Sequence, residues 1–365
     1  MSRSLWRSTR SSLRANKTLR RKYYGHLKEV PVDIIARGKY VITDAAAGEK
    51  GIISDGAAYF SGGKVVEVDT YNALKKKYPA ATVKGNGKQL LMPGLIDGHS
   101  HGWGLSCIQR GLTYDYLENA LIDWASLINI DPEINAMLCA VRHLRGGCTT
   151  IHHNNFGEAP KMGEIARNAI KGYQNVGIRF AYSPGVRNVN ILALDDTDFL
   201  ETLPPDLKEI CRPMVFFDQQ AVIDEFFDIF EDLYKSYNGE DSRIIFGPSW
   251  VQGSTDDFLV RVKSRADELG KLPIHIHTLQ SPYQKAYGIR KYGKSLLGHL
   301  DDLGLVDDNL VLGHAVYVNE SDIQLLATKK ASTTNHASCN LAVRNGISPV
   351  SVSYTHLTLP TTPYV

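Results

Sequence analysis

Met92-Pro93-Gly94-Leu95-Ile96-Asp97-Gly98-His99-Ser100-His101 runs from an apolar stretch through a Pro-Gly turn into two histidines spaced i, i+2. Successive side chains of a strand point to opposite faces, so His99 and His101 are expected on one face at the strand's end. Two imidazoles at that spacing suit one divalent first-row cation, Zn²⁺ before Fe²⁺. Outward from this segment, short apolar runs at 90–96, 148–153, 178–184, 243–248, 273–278, 310–315 and 331–336 alternate with amphipathic stretches. Helical patterns lie between them, such as 254–269 and 319–329, the second opened by the cap residue Asn319. The alternation predicts an α/β fold with a parallel sheet. Titratable residues gather at the C-terminal ends of the runs, which favours a (β/α)8 TIM-type barrel over an open sheet. Seven strand–helix positions are legible where a closed barrel has eight, so the barrel is expected to lack its last unit.

The later runs repeat the device. Pro273-Ile274-His275-Ile276-His277-Thr278-Leu279-Gln280 carries a second pair, of which His277, nearer the C-terminal end, is the expected ligand. His275, one layer deeper, is expected to be a hydrogen-bonded core residue. Leu312-Gly313-His314-Ala315 ends another run with a single His in step with the others. His152 and His153 are adjacent and point to opposite faces, so at most one meets the site; His153 is the substrate-side candidate. Trp103 is either a wall of the site or ordinary loop packing. Arg110, in a segment expected over the barrel mouth, is a candidate for an anionic substrate group. The Lys75-Lys76-Lys77 run reads as a solvated helix face.

Composition narrows the function classes. Of 365 residues, 22% are charged and 43% hydrophobic, an ordinary globular balance. No apolar run is long enough to span a membrane. Residues 1–28 hold nine Lys/Arg and no acid, which leaves 32 basic against 39 acidic side chains in the rest. A mildly acidic body gives no electrostatic footprint for nucleic acid. Residues 1–29 are expected to be a disordered basic extension, with an organellar transit peptide as the alternative. Residues 30–89 hold short Gly-punctuated β segments at 32–35, 39–43, 57–61 and 64–68 and are expected to form an incomplete β-sandwich. Residues 90–350 are the incomplete barrel. Five scattered cysteines without a C-x-x-C pair point to a reducing compartment, the cytoplasm, and not to disulfides. No P-loop, G-x-G-x-x-G after a strand, G-x-S-x-G elbow or internal repeat is present.

Taken in order, M-P-G-L-I-D-x-H-x-H, Gly147-Cys148-Thr149-Thr150, the H-x-H at 275–277, Gly313-His314 and Asn335-His336-Ala337-Ser338-Cys339-Asn340-Leu341 resemble the metal-dependent amidohydrolase superfamily. The nearest likeness is to its mononuclear branch of heterocycle deaminases and triazine-type hydrolases, over about 32–350. The resemblance implies that His99, His101 and His277 bind the metal. It implies that His314 is catalytic, binding the metal or orienting the hydrolytic water, and that Gln280, His336 and Asn340 face substrate. It further implies one metal, because the fourth strand ends Phe246-Gly247-Pro248-Ser249-Trp250 without the bridging Lys of dinuclear relatives. The activity expected is hydrolysis of a non-peptide C–N bond in a small molecule, by a protein for which self-association remains open. A hydrolytic dehalogenase and a non-catalytic scaffold are the alternatives.

Two departures from the family pattern bear on function. The deaminases place a proton-shuttling Glu three residues after the strand-five ligand, where this chain has Gln280, which cannot exchange a proton near neutrality. The family's last ligand is an Asp on an eighth strand. Here the chain reads Ser351-Val352-Ser353-Tyr354-Thr355-His356-Leu357 and onward to Val365, a tail at 351–365 that resembles translated adapter DNA. His356 is accordingly expected not to be a ligand, and the chain as written is expected to be inactive and poorly stable.

Overall fold

Pro93 and Gly94 mark the division between two units of the chain in a computed structural model that describes residues 33–350 apart from 125 and 156–160. The expectations for the basic extension and for the 351–365 tail lie outside the described residues. The smaller unit carries β1 (Asp33–Arg37), β2 (Tyr40–Ile42), β3 (Ile52–Ser54), β4 (Gly56–Ser61), β5 (Lys64–Thr70), helix α1 (Tyr71–Lys77), β6 (Thr82–Lys84) and β7 (Leu90–Leu91). These form a four-stranded sheet in the order β5-β4-β1-β6 and a three-stranded sheet in the order β3-β2-β7. Leu90 and Leu91 pair in parallel with Tyr40 and Val41, so residues 90–93 go with this unit and not with the barrel. Ile35, Ala57, Tyr59, Leu74 and Ala81 are its core. The Lys75-Lys76-Lys77 run occupies the last turn of α1, where cations offset the partial negative charge of the helix end.

The larger unit is built on seven parallel strands in chain order: β8 (Leu95–Ser100), β9 (Cys148–Asn154), β10 (Arg179–Ser183), β11 (Ser242–Ile244), β12 (Ile274–Thr278), β13 (Leu310–His314) and β14 (Ser332–Thr334). Ladders join β8 through β11 and β12 through β14, and parallel bridges Phe246↔Ile274 and Trp250↔His277 connect the two sets. Helices fill the connections, among them α2 (Leu117–Trp124), α3 (Pro132–Arg145), α4 (Met162–Val176), α5 (Asp196–Thr202), α6 (Pro205–Val215), α7 (Gln219–Tyr237) and α8 (Asp256–Glu268). They continue with α9 (Pro282–Tyr292), α10 (Leu296–Asp302), α11 (Glu320–Lys329) and α12 (Ala337–Ala342). This is the staves-and-helices order of a (β/α) barrel. Among the described residues no further parallel strand follows β14. A Cβ at Gly98 of β8 would lie 3.3 Å from Thr334 Cγ2 of β14, so these outermost strands approach one another.

Local chemistry explains the staves. Gly94 lets β8 meet β9, since a Cβ there would lie 2.2 Å from Thr149 Oγ1. Asn319 caps α11 as expected and forms a reciprocal capping box with Asp322. β11 spans three residues only, and Phe246 beyond it keeps a single bridge to β12 before Gly247 and Pro248. Packing carries that stave: Phe226, Phe230, Phe246 and Phe258 are all fully buried, with Phe230 and Phe246 stacked at 3.8 Å between centroids. The barrel core is one continuous apolar cluster between strands and helices.

Candidate metal centre

Ring nitrogens of His99, His101 and His277 lie within 4.8 Å of one another at the C-terminal ends of β8 and β12. Nε2 of His99 is 3.4 Å from Nε2 of His101. The His101 and His277 rings stack at 5.3 Å, and His314 stands 5.3 Å beyond His277. Each ring is held from behind. His101 Nδ1 donates to the Asn154 carbonyl at 2.8 Å, and His277 Nδ1 to the Ser249 carbonyl at 2.6 Å. A carbonyl can only accept, so these rings carry their proton on Nδ1 and turn the Nε2 lone pair inward. That is the arrangement in which a protein orients metal-ligating histidines.

Burial keeps the cluster neutral. It pushes His101 down to about 4 despite the Asn154 carbonyl, and holds His99 and His277 well below the ordinary imidazole value, with neighbouring rings adding to the effect. His314 is likewise held well below, first by burial and then by His336. Neutral, converging imidazoles are a donor set that fits a divalent first-row cation.

His314 ends β13 with φ 72° and Ala315 follows at 46°, a left-handed pair that non-glycine residues adopt only when held. Asn340 and Ser348 hold it. His314 Nδ1 lies 2.7 Å from Asn340 Oδ1, Asn340 Nδ2 donates to Ser348 Oγ at 3.3 Å, and that hydroxyl donates to the His314 carbonyl at 2.9 Å. Asn340, expected to face substrate, thus serves His314 and is absent from the cavity wall.

A cavity of about 880 Å³ opens over the cluster. Trp103, Gln280, His314 and His336 line it, as do Tyr114, Trp124 and Trp250. Trp103 packs edge-on to Trp124 at 5.1 Å, which places it as a wall. His336 sits between Thr334 Oγ1 at 2.7 Å and His314 Nε2 at 3.2 Å. Glu118 of α2 accepts a hydrogen bond from the Ser281 hydroxyl, tying the helix over the mouth to the end of β12. His153 is corrected: it turns away from the cavity, with Nδ1 2.8 Å from the buried Tyr173 hydroxyl and its ring against Tyr182. His152 takes the inward face instead, but its nitrogens are spent on the Gly98 carbonyl and Ser183 Oγ. Arg110 does not reach the cavity either; its guanidinium donates to the Ile128 carbonyl at 2.6 Å. The carbonyls of Asn154 and Ser249 had no signal in the sequence, because any residue can supply one.

Asp97 and His143 also line the cavity, and the β8–β9 register shifts between Asp97 and Ser100. Asp97 pairs with His143 Nε2 at 2.7 Å, and that bond raises His143 to about 11. A raised histidine contributes stability fully below its unfolded value near 6.5 and loses it as pH climbs toward the folded value. His143→Gln is therefore expected to cost about 2 kcal/mol near pH 6. The gap from the unaltered chain in urea unfolding should narrow steadily at alkaline pH; a constant gap would contradict the charged pair.

Known proteins of similar sequence or structure give the geometry a setting. A 5-methylthioadenosine/S-adenosylhomocysteine deaminase of Nitratidesulfovibrio vulgaris is 24% identical over 331 residues, 88% of this chain and 66% of the relative. An adenosine deaminase from Xanthomonas campestris with bound zinc superimposes with a TM-score of 0.64 at 22% identity, covering 89% of this chain and 67% of its own. A zinc complex of atrazine chlorohydrolase from Arthrobacter aurescens TC1 gives 0.69 at 20% identity, covering 88% and 69%. The chain thus spans about two-thirds of the length of the curated relatives it matches. The barrel is the fold of these structures. The family model for amidohydrolases matches residues 90–352, most of the barrel unit and well over half of the chain, and the chain belongs to the amidohydrolase family.

Proposed function

We propose that the whole protein is a mononuclear metal-dependent hydrolase that cleaves an exocyclic C–N bond of an amino-substituted heterocycle. The convergence of His99, His101 and His277 beneath an aromatic cavity, with the Nε2 lone pairs of His101 and His277 turned inward, carries this reading. A bound divalent ion, zinc before iron, supplies a nucleophilic water near neutral pH and polarises the electrophile. His99, His101 and His277 would hold it. His314 stands 5.3 Å from His277 with its Nε2 beside Nδ1 of His336, and the pair is placed to orient a water. Trp103, Tyr114, Trp124 and Trp250 exclude water and offer flat faces for a heteroaromatic ring. Gln280 can donate and accept hydrogen bonds to the ring but cannot shuttle a proton. The deaminase relatives support the C–N bond as the target. Free cysteines support a cytoplasmic site of action. Among the described residues no helix is long and apolar enough to cross a membrane.

Gln280 favours a second reading, hydrolytic removal of halide from the same ring position. A departing amine needs a proton and a departing halide does not. The atrazine chlorohydrolase among the structural relatives is consistent with it. Metal analysis followed by parallel assays of ammonia and halide release on amino- and chloro-substituted heterocycles separates the two. The expected result is about one equivalent of zinc or iron and ammonia as product. Halide alone would establish the second reading. Metal below roughly a tenth of an equivalent would favour the non-catalytic scaffold.

A further inference from the structure

His275 is the ring for which the proposed function has no use. It lies on β12 one layer below His277 and is 1% exposed. Its Nε2 is 3.1 Å from Nδ1 of His99, with the two ring planes 25° apart. His152 packs edge-on against it at 4.7 Å, and among the described residues Nδ1 of His275 has no hydrogen-bond partner. Among the described residues the hydrogen bonding of His275 therefore runs through Nε2.

The other two candidate ligands and His314 follow one rule. Nδ1 faces the Asn154 carbonyl in His101, the Ser249 carbonyl in His277 and Asn340 Oδ1 in His314. Each partner is an oxygen that accepts, so each proton sits on Nδ1 and each Nε2 keeps its lone pair. His99 breaks the pattern, for it meets a histidine nitrogen where the others meet oxygen. We propose that His275 Nε2 stands in for that oxygen: it accepts the Nδ1 proton of His99 and so presents Nε2 of His99 to the cation. His275 is then a positioning residue for His99, and not the purely structural residue that its depth in the strand suggests. The inference rests on the metal reading above.

The opposite tautomer marks what is at stake. A proton on His275 Nε2, donated to His99 Nδ1, leaves His99 carrying its own proton on Nε2, 3.4 Å from Nε2 of His101. His99 could then not be a ligand. The two states hold equal numbers of protons and differ only in which nitrogen of each ring carries one, so an acceptor at this position decides the availability of the ligand. His99, His275 and His336 also bring ring nitrogens within 4.8 Å of one another, which makes His275 as a ligand in its own right the competing outcome.

The test uses the full chain with Zn²⁺ alone as the probe, in competition with a chelator. His275→Phe, which fills the space without an acceptor, is expected to weaken zinc binding about 10–100-fold. His275→Gln, whose Oε1 can reach the same place, is expected to recover most of that loss. Unchanged zinc affinity in a folded His275→Phe chain, or a Gln variant no better than Phe, overturns the proposal. Should the Phe variant not fold, the unaltered zinc-loaded protein still decides. Imidazole ¹⁵N spectra are expected to show a coupling from His99 Nδ1 across its proton to His275 Nε2. A proton on His275 Nε2, or direct coordination of that atom, overturns it. A chain that takes up no zinc at all overturns the metal reading itself, whereas a failure confined to the His275 results overturns only the part given to His275.

Discussion

His277→Ala is expected to remove bound metal and turnover together, leaving the purified whole protein with less than roughly a tenth of an equivalent of zinc or iron. His277 is the only one of the three candidate ligands contributed by β12, so its loss opens one whole side of the cluster. The Ser249 carbonyl that holds its Nδ1 then faces an empty space. Turnover should fall by on the order of 10³-fold or more, since the ion supplies both the nucleophile and the polarisation of the electrophile. His153→Ala is the control. His153 lies on the other face of β9, bonded to the fully buried Tyr173 hydroxyl, so its removal should cost about 1–3 kcal/mol of stability and leave metal content unchanged. Metal retained in the first variant, or lost in the second, would contradict the facing of these strands.

The second large effect is one of stability. Phe230→Ala should cost about 3–5 kcal/mol, as full truncation of a buried aromatic does. Typical whole-domain stability is only about 5–15 kcal/mol, so this one residue would account for a large fraction. The reason is local. β11 pairs over three residues only, and beyond it Phe246 is joined to β12 by an isolated bridge. Phe230 lies flat on Phe246, with interplanar angle 11°, and Phe226 and Phe258 close the cluster. Three residues past Phe246 stands Ser249, whose carbonyl orients His277. Loss of the stack should therefore loosen the metal site from beneath. Urea unfolding gives the stability loss and chelator competition the weakened zinc affinity. A loss below about 1 kcal/mol would mean that the site collapses around the gap or that the ladder carries this stave.

Much of this was legible in the chain alone. Alternating apolar runs and helical periods specify staves and helices because each element must bury one face, and six of the seven runs correspond to β9 through β14 to within a few residues, while the first, 90–96, divides between β7 and the start of β8. The histidines at 99, 101, 277 and 314 stand out for the same reason: a strand-end position and a period of two restrict where a side chain can point. Periodicity could not choose between His152 and His153, since it fixes their opposition and not which of them faces in; the Tyr173 hydroxyl and the Gly98 carbonyl decided that. Nor could it pair Asp97 with His143, a contact between β8 and α3 that only the folded chain makes. Asn340 and Arg110 are polar residues near the mouth that sequence alone sends toward a substrate, yet each found a nearer partner, in His314 and in the Ile128 carbonyl. The tautomers of the cluster depend on backbone oxygens of Asn154 and Ser249, groups that every residue carries and that only the folded chain brings to a particular ring. Residue types and their spacing thus determined which groups could do chemistry in this protein. The tertiary structure decided which nitrogen of each ring is left to do it, because that depends on contacts between atoms far apart in the chain.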